Sequence, residues 1–180
     1  MDTRKTLREF ILCALLMAIG VVLHFITPAF MLNMRPDFML SMLFISLMIV
    51  DDLKINYVTA IIAGILTALT GSMPGGQIAN PIDKLVTSTI IILMLKVLRN
   101  RVNEGIIAGV VGIIGTIISG SVFLGVVSLV AGLPGPFYLL MLTVVIPTAV
   151  VNTVVTVIGY YIIKKVSKSK IGRASCRERV

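Results

Sequence analysis

Residues 105–131 read GIIAGVVGIIGTIISGSVFLGVVSLVA, without one charged side chain. An α-helix needs about 20 predominantly apolar residues to cross the hydrocarbon core of a bilayer, and this stretch is longer than that. Ala108, Gly112, Thr116 and Gly120 recur within it at i+4 spacing, and Gly105 and Gly109 form a GxxxG pair. Small residues at that spacing let helix backbones approach closely inside lipid, so the stripe predicts a packed helix interface.

Five more apolar segments surround it, at about 10–30, 38–50, 55–70, 82–98 and 137–163. Over the 180 residues 57% are hydrophobic and only 13% charged, against about 25% charged in a soluble domain. Mean hydropathy is +1.05. The expected fold is all-α: a polytopic membrane protein of about six transmembrane helices, forming one domain over residues 1–170. The second, third and fourth segments fall short of 20 residues. They reach across with flanking residues, thin the bilayer locally, or are sheltered by neighbours; a re-entrant pairing of the second and third leaves the rest unchanged. Arg4, Lys5 and Arg8 ahead of the first segment resemble a signal peptide, but no small-residue cleavage site follows, so that segment reads as a retained span.

The last ten residues, IGRASCRERV, change composition abruptly and resemble a translated sequencing adapter. We expect 171–180 to be a non-native tail; its three arginines and one glutamate carry two of the eight net positive charges. Cys176 lies there, and Cys13 lies in an apolar run where it reads as a small packing residue.

With the N-terminus inside, the inner segments hold Arg4, Lys5, Arg8, Lys54, Lys96, Arg99, Arg101, Lys164, Lys165, Lys168 and Lys170, and the outer loops only Arg35 and Lys84. Eleven against two is a strong positive-inside bias, so both termini are expected in the cytoplasm. The basic excess thus reports topology, and no nucleic-acid partner is needed to explain it.

On the outer side two stretches carry nearly all the polar chemistry: LNMRPDF, with Arg35 and Asp37, and PGGQIANPIDK at 74–84. Arg35 offers a planar fork for a carboxylate. Asp37 and Asp83 can accept from an ammonium group, and Gln77 and Asn80 supply amide donors and acceptors. The competing reading is structural: Asp83 caps a fourth helix beginning there, and Lys84 snorkels to the surface. His24, the one histidine, sits in the first segment as a ligand for substrate or proton, or as a neutral imidazole bonded to a neighbour. Asn152, with Thr148 and Thr156 a turn to either side, forms a polar stripe that lines a cavity or bonds between helices. Pro147 can kink the same helix. Ala14 and Ala18 form an AxxxA pair whose ordinary reading is internal packing.

The chain has no GxxxxGK[ST], no HExxH, no metal-spaced His/Cys cluster and no serine with a nearby histidine. No catalytic residue, metal site or cofactor is therefore expected, and the chain does not read as an enzyme.

Several stretches resemble one family, the bacterial tryptophan transporters of TrpP type: GSMPGGQIANPIDK at 71–84, MRPDFML at 34–40, IGTIISGSVFL at 114–124, AGLPGPF at 131–137, and ALLMAIGVVLHFITPAF at 14–30 with its AxxxA pair and His24. The likeness spans essentially residues 6–165. It implies a small six-helix permease for L-tryptophan in the bacterial cytoplasmic membrane, similar in fold to the substrate-binding subunits of energy-coupling-factor transporters. There an AxxxA pair on the first helix packs against a partner membrane subunit driven by ATPases, which would turn Ala14 and Ala18 toward such a partner. Arg35, Asp37, Gln77, Asn80, Asp83 and Lys84 match the motif in type. Two alternatives stand: a binding subunit for a vitamin or other aromatic metabolite, and a membrane assembly subunit without cargo.

Overall fold

A computed structural model describes residues 3–27, 36–71, 73–99 and 101–166, together with the backbone of 167–177. Every regular element among them is helical: α1 (Thr3–Ile26), α2 (Phe38–Ile49), α3 (Leu53–Thr70), α4 (Gly76–Leu98), α5 (Glu104–Val130) and a sixth helix, α6. α6 starts as Phe137–Leu140, loosens into a π-helical stretch at Met141–Val145, and continues as Ile146–Arg177. The six expected helices are present. α1, α3, α5 and α6 are each long and apolar enough to cross a membrane.

α2 sits at the centre. Its twelve residues, FMLSMLFISLMI, are apolar on every side, and all of them from Met39 to Met48 are buried. At about 1.5 Å per residue it spans about 18 Å, well short of a 30 Å hydrocarbon core. It can be short because its neighbours shelter it: α1, α3, α4, α5 and α6 all pack against it. Phe44, Leu43, Ile45 and Leu47 have no exposed surface worth the name and anchor the main core with Leu16, Met39, Ile91 and Val111. The outward faces are equally greasy, with Ile11, Leu15, Ile19 and Val22 exposed along α1. In lipid such faces gain nothing by burial, so close packing and polar contacts hold the helices together.

The small-residue stripe of α5 makes one of those packed seams. Ala108 is fully buried. A Cβ on Gly112 would stand 2.7 Å from Thr153 Cα, and one on Gly120 would stand 2.6 Å from Val145 Cγ1. The absent side chains let α5 lie against α6. Gly109 of the GxxxG pair faces open space instead.

At the end of the bundle rich in basic residues, Arg99 pairs with Asp51 and donates to the Met48 carbonyl at 2.7 Å, while Lys164 pairs with Glu104. Asn56 Nδ2 donates to the Val50 carbonyl at 3.0 Å, and Asp52 caps α3 by accepting from Lys54 N at 2.8 Å.

Two expectations need correction. α4 begins at Gly76, six residues ahead of the expected start at 82, so most of PGGQIANPIDK is helix rather than loop. Asp83 and Lys84 consequently lie in its second and third turns. Asp83 caps nothing and Lys84 does not snorkel: both are buried to 1% exposure.

Candidate functional site

Gly75 opens α4 with a left-handed backbone, φ +80°, a conformation that glycine adopts without steric penalty. From there the helical period sorts the polar residues. Asn80, Asp83, Lys84 and Thr87 fall at i, i+3, i+4 and i+7 and point into the bundle, while Gln77, Ile78, Ile82, Leu85 and Val86 face outward. Pro81 is accommodated inside the helix where Gly64 of α3 passes so close that a Cβ there would stand 2.7 Å from Pro81 Cα.

Lys84 is the hub of the site. Its ammonium donates to Asp37 Oδ2 at 2.5 Å and to Asp83 Oδ2 at 2.7 Å. Asp83 also accepts from Thr87 Oγ1 at 2.9 Å and from Ser119 Oγ of α5 at 2.7 Å, so every partner a buried carboxylate needs is supplied. Asp37 does double duty as the N-cap of α2, accepting from Leu40 N at 3.2 Å. It precedes the helix, in the connection, and its side chain keeps 22% exposure. Burial alone would raise its carboxyl, but the Lys84 ammonium outweighs that and holds it below the usual carboxylate range. Two carboxylates against one ammonium leave the cluster with a formal charge of −1.

A cavity of about 120 Å³ adjoins this cluster. His24, Asn80, Thr116, Ser119, Thr148 and Asn152 add polar groups to its wall, and Met73, Phe123, Leu124, Val144 and Val145 an apolar side. Val144 and Val145 come from the π-helical stretch of α6. Such stretches widen a helix locally and recur at functional sites.

Of the residues expected at a site, His24, Asp37, Asn80, Asp83, Lys84 and Asn152 line this one cavity. Asn80 is partly committed elsewhere, donating to the Thr67 carbonyl of α3 at 3.4 Å. Gln77 is exposed and stands apart from the cavity. Arg35 lies outside the described residues. Ala14 and Ala18 are exposed on α1, so the pair is no internal packing seam. Ser119, Thr87 and Phe123 were not singled out from sequence. Ser119 is three residues beyond Thr116 on the α5 stripe, a spacing that puts it on the same face, and that spacing was the available signal. Among the described residues no group of three or more His, Cys, Asp or Glu side chains could hold a metal ion.

A family model described as Tryptophan transporter TrpP matches residues 6–168. A protein of Clostridium acetobutylicum named probable tryptophan transport protein is 41% identical over 162 residues, covering 90% of this chain and 95% of its own. Proteins of the same name from Clostridium perfringens and Bacillus subtilis are 38% and 40% identical, covering 92% and 88% of this chain and 96% and 92% of theirs. No solved structure matches the chain significantly.

Proposed function

Since the chain belongs to the tryptophan transporter TrpP family, we propose that it takes L-tryptophan up across the bacterial cytoplasmic membrane. The observation that carries the reading is a buried group of both charge signs beside a cavity with an apolar, aromatic wall. A zwitterion with a large apolar ring needs that combination. Lys84 has three N–H donors, of which Asp37 and Asp83 take two, and the third is available to the substrate carboxylate. The surplus negative charge suits the substrate ammonium, and Asp37 is its natural acceptor because it is the carboxylate with open surface. Arg35, two residues ahead of Asp37, would be a second partner for the carboxylate. Phe123 and Met73 would pack on the ring.

The positive-inside bias supports cytoplasmic termini, and in that orientation the cavity lies in the outer half of the membrane, where substrate arrives. An alkaline phosphatase fused to the C-terminus would then stay inactive. The exposed Ala14–Ala18 face supports docking of a transmembrane coupling subunit carrying ATPases. The proposal needs no catalytic residue or metal of this chain's own.

The test is uptake of radiolabelled tryptophan in the native host, deleted for its own copy of this chain and for other tryptophan permeases, where any coupling subunit is present. Wild-type protein should restore uptake, Asp37→Asn and Lys84→Met should lower it at least about tenfold at equal membrane abundance, and Gln77→Ala should leave it unchanged. Full activity of both Asp37→Asn and Lys84→Met would sink the site assignment, and a wild-type protein without uptake would sink the function.

A further inference from the structure

The charged cluster accounts for one end of the cavity and leaves another polar group without a purpose. Asn152 on α6 has no exposed surface, and its amide N–H donates to Thr116 Oγ1 at 3.3 Å while its Oδ1 has no hydrogen-bond partner. A buried amide oxygen without a donor is costly, and more so inside a bundle set in lipid, where water does not make up the loss. The amide N–H ties α6 to α5 through Thr116, but no contact among the described residues uses Oδ1. The contact that ties α2 to α6 here, Ser41 Oγ donating at 3.4 Å, goes to the main-chain carbonyl of residue 152, which any side chain would leave in place. A neighbouring hydroxyl does not satisfy Oδ1 either, since Thr156, one turn on, is itself buried without a partner. What distinguishes Asn152 is that it lines the cavity.

We infer that Asn152 Oδ1 accepts the ring N–H of the bound substrate and so selects indole over other aromatic rings. The inference rests on the reading of the cavity as a site for an aromatic zwitterion and deepens it. Indole carries one polar group, a single N–H donor, and a single orphan acceptor is its complement. Placement agrees. Ser119 of α5 donates to Asp83, and Thr116, which accepts from Asn152, is one helical turn earlier on the same face, about 5 Å away. The cluster that grips the charged head and the acceptor for the ring are thus held on successive turns of one wall, a separation on the scale of an aromatic amino acid. A ring without the N–H leaves Oδ1 buried and unmet, which is how a site built around a hydrogen bond rejects an analogue of the same shape.

The experiment measures binding of three ligands to the purified full chain in lipid nanodiscs: L-tryptophan, L-3-benzothienylalanine, in which sulfur replaces the ring N–H, and 1-methyl-L-tryptophan. Wild-type protein should favour tryptophan over both analogues by at least about tenfold. Asn152→Leu, close in volume, should weaken tryptophan binding by about that factor and leave benzothienylalanine within about twofold, so that the preference collapses. If Asn152→Leu does not fold, Asn152→Ala is read in the same way. Equal wild-type affinities for tryptophan and benzothienylalanine overturn the inference and leave the transport reading standing. So does a preference that survives in the variant, or a loss of all three ligands together, which marks a structural role for Asn152. A wild-type protein that binds none of the three overturns the transport reading as well.

Discussion

Replacing Lys84 with methionine keeps an unbranched apolar stem and deletes the ammonium that joins Asp37 to Asp83. The damage is uneven. Asp37 keeps 22% exposure and can be rehydrated, but Asp83, at 1%, loses its 2.7 Å ionic bond and retains only the neutral donors Thr87 and Ser119. Removing one partner of a buried ion pair costs about 3–5 kcal/mol, because the remaining charge is stranded, whereas replacing both partners is often close to neutral. For a chain of this size each kcal/mol moves the midpoint by about 2–4 °C, so Lys84→Met should lower it by about 6–20 °C. The double variant Asp83→Asn, Lys84→Met should recover more than half of that loss, since the amide oxygen can still accept from one of the two hydroxyls while its Nδ2 donates to the other. Thermal melts of the purified proteins followed by far-ultraviolet circular dichroism decide it, and a chain without tryptophan recommends that probe over intrinsic fluorescence. The reasoning is refuted if Lys84→Met melts within about 2 °C of wild type, or if the double variant melts below the single one.

Two further predictions separate packing from docking. Gly112→Leu must push α5 away from Thr153 and should cost about 1–3 kcal/mol or more, while Gly109→Ala, with nothing within 4 Å, should be neutral or gain up to about 1 kcal/mol; the same melts rank them, and equal behaviour of the two would show that the seam is not tight. Ala14→Leu with Ala18→Leu should leave stability and tryptophan binding of the purified protein intact and lower uptake severalfold in the native host. Unchanged uptake there removes this face as a docking surface.

The start of α4 shows how far linear reading reaches. Pro74, Gly75, Gly76 and Pro81 are turn residues by type, and the polar run between them lowers hydropathy, so the segment reads as loop until residue 82. Within the helix that actually begins at Gly76, the same residues obey the 3.6-residue period, and Asn80, Asp83, Lys84 and Thr87 share one face. The pattern was present in the sequence, but seeing it required the right starting residue. Gln77 was grouped with its neighbours by proximity along the chain and falls on the opposite face.

The amino-acid sequence by itself determined that this chain is a bundle of about six apolar helices in a membrane, because hydrocarbon thickness sets helix length. It also determined the candidate polar residues, because charges are too costly in lipid to be scattered freely. Only the tertiary structure decided that the twelve-residue α2 is the core. Lipid and protein interior are equally apolar, so a helix greasy on all sides carries no mark of which one it faces. Only the tertiary structure, too, brought Asp37, Lys84, Ser119 and Asn152 to one cavity from positions up to 115 residues apart along the chain. Charge pairing and hydrogen bonding act over a few ångströms of space, and separation along the chain is no measure of that.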